Sequence, residues 1–156
     1  MGEKGLKIKI ITVGSIKEKY LAEGIAHFEK EIGKKCPIEC IEIADEKCPE
    51  NLSASEMEQV KQREGQKIMD RIPAGAFVCT LEIEGKLVNT AQLRGKWQEA
   101  RQKGHDEMVF IIGGSLGLSD AVKAKSQFKL SFSPMTFPHQ LMKLMLLEQL
   151  GKIVSL

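Results

Sequence analysis

The stretch FIIGGSLGLSD, Phe110 to Asp120, ends an apolar run on two glycines, adds a third at Gly117 and closes on a Ser-Asp helix start. An unbroken apolar run of this length reads as a strand covered on both faces. Strand, glycine turn and helix together form the repeating joint of an α/β sheet. The glycines remove side chains where the backbone turns tightly or lies close to something else. A phosphate-cradling loop is one reading, but neither nucleotide fingerprint fits. Ile112 stands where G-x-G-x-x-G needs its first glycine, and Gly117 is followed by Leu118 and Ser119 instead of the Lys-Ser/Thr of a Walker loop. From these glycines alone, a simple turn and a ligand loop both remain open.

Outward from this joint, strand and helix patterns alternate along the whole chain. LKIKIITVG (6–14) reads as a first strand, and Lys17 to Gly33 as a helix with Leu21, Ile25, Phe28 and Ile32 on one face. IECIEIA (38–44) is a second strand, followed by the polar, proline-broken loop DEKCPEN. Ser53 and Glu56 make a capping box that opens a helix toward Ile72, with Met57, Val60, Glu64 and Ile68 on its inner side. AFVCTLEI (76–83) is a third strand that should end at a turn around Gly85, and 89–104 a helix carrying Leu93, Trp97 and Arg101. After the FIIGG strand, Ser119 caps a short helix, KLSFS (129–133) is a fifth strand, and Pro138 stands just inside a final helix. The expectation is one α/β domain over residues 1–156, with a mostly parallel sheet and helices on both faces.

Composition narrows the function classes. The chain has 156 residues, 42% of them hydrophobic, and a net charge of +2, so contact with nucleic acid would depend on a local patch rather than on bulk charge. The opening apolar run is interrupted by Lys9 and Thr12, too brief for a signal peptide or membrane span, and a cytoplasmic protein with no membrane partner is expected. Cys36, Cys40, Cys48 and Cys79 lack CxxC spacing, and with His27 they offer no paired zinc ligands, so reduced thiols and no metal are expected. Lys17, Lys19, Lys30, Lys34 and Lys35 are interleaved with Glu18, Glu23, Glu29 and Glu31, which reads as a solvated helix face. Tyr20 and Trp97 fall in helical patterns and read as packing residues. The last helix carries leucine and methionine on nearly all sides, which calls for cover by a core and a dimer seam, with Leu146 and Leu150 as seam candidates.

A second loop, LSFSPMTFPHQLM, follows the fifth strand and can meet the glycine loop at one sheet crevice. Together with LKIKIITVGSIKEKYLAEGIAHFEKEI, DEKCPEN, REGQKI and TLEIEGK, the two loops make residues 6 to about 150 resemble the ribosomal RNA large subunit methyltransferase H family of the SPOUT superfamily. The resemblance implies a C-terminal deep trefoil knot and a homodimer formed around it. It implies methyl transfer from S-adenosylmethionine to N3 of a pseudouridine in large-subunit (23S) ribosomal RNA, hence a ribosome partner. It places cofactor contacts on Leu81, Gly113 and the run Phe132, Ser133, Pro134, Met135, Thr136 and Phe137. On this reading Gly113 and Gly114 let the chain fold tightly beneath adenosine.

The reaction adds its own demands. N3 of pseudouridine is a weak nucleophile until it loses its proton, so a group that accepts or relays that proton is wanted, and His139 and Glu148 are the candidates. Family members continue with Tyr-Arg-Ala, Arg-Gly-Glu and Tyr-His segments, whereas here Leu150 leads to Gly-Lys-Ile-Val-Ser-Leu. That departure puts a second reading beside the enzyme, a catalytically weak relative that binds RNA or the ribosome.

Overall fold

The computed structural model describes residues 6–46 and 50–154. Five strands, β1 (Lys7–Val13), β2 (Ile38–Ile43), β3 (Phe77–Leu87), β4 (Glu107–Ile112) and β5 (Phe128–Ser131), form one sheet in the order β2-β1-β4-β3-β5. Every pairing is parallel. In the centre, Ile10 lies opposite both Cys40 and Phe110. The near-continuous apolar runs of β1 and β4 follow from this position, because both faces of a central parallel strand must be covered.

Helices α1 (Lys19–Gly33), α3 (Thr90–Gln102) and α5 (His139–Ile153) cover one face, and α2 (Ala54–Met69) and α4 (Asp120–Ala124) the other. The first core joins Ile8, Ile10, Phe110 and Leu130 to Ile25, Trp97, Leu146 and Leu150. The second joins Ile11, Val13, Val109 and Ile111 to Ile68 and Val122. Three local signals set the helix starts: the Ser53–Glu56 capping box of α2, a second box between Asn89 and Gln92 at α3, and Ser119 accepting the Val122 amide at α4.

Four sequence expectations change. β3 does not end at Gly85 but runs to Leu87, with a register break between Leu81 and Lys86, both of which pair with Leu130. Gly85 sits at the break because a Cβ there would lie 2.8 Å from the Lys129 carbonyl oxygen. Pro138 is the N-cap of α5, one position before the helix. Tyr20 is not a packing residue, being 69% exposed, whereas Trp97 is buried. Leu146 and Leu150 are fully buried within the chain, so they belong to the core and not to a seam.

The lysine-rich face of α1 is solvated as expected, with Lys19 paired to Glu23 and Lys34 to Glu31. The Cys36 thiol donates to the Leu6 carbonyl at 2.8 Å, and burial pushes the Cys40 thiol up to about 12, so both are held as protonated packing groups. Cys48 lies outside the described residues.

α2 and α4 approach through Gly65, where a Cβ would collide with the Ser119 side chain. We expect Gly65→Ala to cost about 1–3 kcal/mol by forcing α4 away from the sheet. Urea unfolding monitored by circular dichroism would show this, and an unchanged midpoint would refute the contact.

Candidate active site

All five strands point the same way, so the loops after β1, β3, β4 and β5 gather at one end of the sheet. Two kinds of local geometry shape them. After β4, the Gly117 amide donates to the Gly114 carbonyl at 3.0 Å, and Gly117 takes a positive φ of 83°, closing a four-residue turn. After β5, the Ser133 hydroxyl accepts the Met135 amide at 3.0 Å and folds the loop toward α5. The Ser131 hydroxyl reaches both the Ile83 and Ser133 carbonyls, tying the break in β3 to this loop.

Between the loops lies a cleft of about 450 Å³. Leu81, Gly113, Phe132, Ser133, Met135, Thr136, Phe137 and His139 all line it. Pro134 is exposed beside it without lining it. Glu148 is elsewhere, in a neighbouring groove of about 640 Å³ bordered by Phe28, Leu93, Leu144 and Met145, with Phe132 and Phe137 shared between the two. Its carboxylate accepts from Lys152 at 2.9 Å and from Gln149 at 2.8 Å.

The structure answers why Gly113 lacks a side chain. A Cβ there would meet Leu118 at 3.0 Å and the Gly117 carbonyl carbon at 3.1 Å, so the missing side chain first lets the loop close on itself. Gly114 is similarly confined, with Val13 3.1 Å and the Glu64 carboxylate 3.5 Å from its would-be Cβ. Glu64 explains its own place on the inner side of α2: it is buried, and its carboxylate accepts the Glu46 amide at 3.0 Å. Burial pushes this carboxyl up and the charges of Asp45 and Glu46 add to the rise, while the Glu46 amide holds it down. Beneath the turn, Glu64 therefore anchors the loop after β2.

Sequence reading missed several lining groups. Glu82, Ile83 and Glu84 reach the cleft because the register break lifts 82–85 off β5, and Lys123 reaches it from α4. No strand pattern signals such a break, although a glycine inside a strand was a hint. Gly14 is the other omission. It has a φ of 98°, and its would-be Cβ lies 3.1 Å from the His139 Nε2. The Gln140 side chain donates to the Ser15 carbonyl at 2.9 Å beside it, so the end of β1 seats the start of α5.

Chemically, the cleft offers apolar walls, backbone edges from the loop after β5, one imidazole, two carboxylates and one ammonium. Such a lining suits a flat heterocycle with a charged substituent better than a polyphosphate. Among the described residues, no cluster of three or more His, Cys, Asp or Glu is placed to hold a metal ion. We expect Gly14→Ala to cost about 1–3 kcal/mol, from the positive φ and the crowded imidazole, and to shift the His139 ring signals in NMR. Unshifted signals would show that Gly14 does not seat the ring.

A family model described as "Predicted SPOUT methyltransferase" matches residues 6–156. The chain is 49% identical over 145 residues to a protein of Clostridioides difficile named ribosomal RNA large subunit methyltransferase H, covering 93% of this chain and 91% of that one. A Lactococcus lactis subsp. cremoris protein of the same name matches with the same identity and coverage. A Thermoanaerobacter pseudethanolicus protein named ribosomal RNA large subunit methyltransferase H 1 is 48% identical over 93% of this chain and 94% of its own length. By both its family match and its relatives, the chain belongs to the SPOUT methyltransferases, within the ribosomal RNA large subunit methyltransferase H family.

Proposed function

We propose that this chain transfers a methyl group from S-adenosylmethionine to N3 of a pseudouridine in large-subunit (23S) ribosomal RNA, working in the cytoplasm as one domain over residues 1–156. The observation that carries the proposal is the meeting of the Gly113–Gly117 turn, the loop after β5 and His139 at a single cleft. The relatives' names supply the ribosomal RNA, and they favour the enzyme over a catalytically weak RNA-binding relative.

The lining fits such a donor. Leu81, Ile112, Phe132 and Phe137 give apolar walls for an adenine, and the segment 133–136 offers backbone groups to its polar edge. When bound, S-adenosylmethionine supplies a methyl carbon made electrophilic by the sulfonium. The residues of the chain hold the adenosine, exclude water and fix the line of attack, and this positioning carries much of the rate. His139, at the first position of α5 and inside the cleft, takes the N3 proton. We assign that step to His139 and not to Glu148, whose carboxylate is engaged by Lys152 and Gln149 outside the cleft.

Two structural expectations belong to the same proposal. The family match over residues 6–156 supports a C-terminal trefoil knot. The groove lined by Phe28, Leu93, Leu144 and Met145 supports a homodimer seam, because these half-buried or buried apolar groups flank an open surface.

The test of function is methyl transfer from labelled S-adenosylmethionine to ribosomes lacking this modification. We expect His139→Ala to lower kcat by about 10²–10⁴-fold, with donor affinity by calorimetry changed less than about threefold. An unaltered rate would remove His139 from the proton step, and no transfer by the unmodified chain would overturn the activity. For the seam, Leu144→Glu should convert a dimer to a monomer in light scattering. A monomeric unmodified chain would disprove it.

A further inference from the structure

We infer that Glu82 is the counter-ion for the cationic half of the methyl donor, so that charge as well as shape holds that half in the cleft. The inference rests on the donor assigned under Proposed function and adds a role for a residue outside the loops that the family resemblance singled out.

The geometry is built for this. Between Leu81 and Lys86 the ladder of β3 to β5 is interrupted, and residues 82–85 leave it. A break of this kind re-aims side chains next to a site. Here it is fixed at both ends. The Ser131 hydroxyl donates to the Ile83 carbonyl at 3.0 Å, and Gly85 lets the strand return within 2.8 Å of the β5 backbone, measured from its would-be Cβ.

Glu82 itself is held. Its Oε2 accepts a hydrogen bond of 2.6 Å from the Thr80 hydroxyl, and Thr80 is fully buried. The Ser126 hydroxyl lies 2.8 Å from the Thr80 hydroxyl. Ser126 donates its own proton to the Phe128 carbonyl at 2.9 Å, so the hydroxyl proton that reaches the Glu82 carboxylate is that of Thr80. Among the described residues Oε1 has no hydrogen-bond partner, which leaves it for a ligand in the cleft that Glu82 lines.

The charge balance points the same way. Glu82 and Glu84 line the cleft against one lysine, Lys123, so its charged rim favours a cation. Glu84 is exposed and Glu82 is half-buried, so water screens Glu84 more. S-adenosylmethionine carries a sulfonium, an ammonium and a carboxylate. S-adenosylhomocysteine lacks the sulfonium charge, and 5′-methylthioadenosine lacks all three. A held carboxylate should therefore discriminate among them by charge, which apolar walls cannot do.

The experiment is titration calorimetry of these three ligands with the full chain and with Glu82→Gln, Glu82→Asp and Glu84→Gln, each checked for an unchanged urea midpoint. Glu82→Gln should weaken S-adenosylmethionine about tenfold and leave 5′-methylthioadenosine within about twofold. A change for S-adenosylmethionine alone places the contact at the sulfonium, and a change shared with S-adenosylhomocysteine places it at the ammonium. Glu82→Asp, which keeps the charge, should stay within about threefold of the unmodified chain, and Glu84→Gln should weaken the donor less than Glu82→Gln. An equal loss for 5′-methylthioadenosine, no loss for the donor, an aspartate variant as weak as glutamine, or an equal effect at Glu84 would each overturn the role of Glu82. An unmodified chain that binds none of the three would instead overturn the donor reading itself.

Discussion

The double burial of β1 and β4 is the constraint on which the rest of the molecule depends. Two adjacent parallel strands with apolar groups on both faces require helices above and below, so every connection must cross from one end of the sheet to the other. The ends of the strands that lead into crossovers then lie along one edge, and the segments free of ladder geometry meet there. The cleft is a product of that arrangement. Its floor is strand ends, and its walls are the turn after β4 and the loop after β5.

Missing side chains do much of the fitting between segments remote in sequence. Gly14 makes room for His139, Gly65 for Ser119, Gly85 for the backbone of β5 and Gly113 for Leu118. The first three contacts join elements that the sheet order brings together, and the fourth closes the loop after β4 on itself. The glycine loop therefore has two jobs: it closes on itself, and its outer edge then lines the cleft. A ligand loop and a tight turn are not alternatives here, because the turn makes the edge.

Charge is divided between the two ends of the function. The lysines of α1 are neutralised in part by the glutamates set among them, which matches a net charge of only +2. Inside the cleft the charged groups are few, and the carboxylates outnumber the ammonium. The cationic donor proposed above suits such a lining, since a concentration of lysine would repel it. Below the floor, Glu64 stays buried because one oxygen is satisfied by the Glu46 amide, and the cost of that burial appears in its raised proton affinity.

The sequence by itself determined the element order, the parallel α/β class and the starts of α2 and α4. Apolar periodicity and capping groups such as Ser53 with Glu56 act over a few residues, and neighbours along the chain suffice to read them. It also determined most of the cleft, since Leu81, Gly113, His139 and the 132–137 loop lie in motifs distinctive enough to carry a family resemblance. Only the tertiary structure decided the rest. Whether β3 stops at Gly85 or bends past it depends on the backbone of β5, and whether Tyr20 packs depends on which side of α1 meets a neighbour. Leu146 and Leu150 look like seam residues until α1 and α3 are placed against them. Glu148 and His139 share a helix but face different cavities, because they lie nine residues apart and the loop after β5 separates the cleft from the groove. Each of these outcomes turns on a partner supplied by a distant segment, which no local pattern encodes.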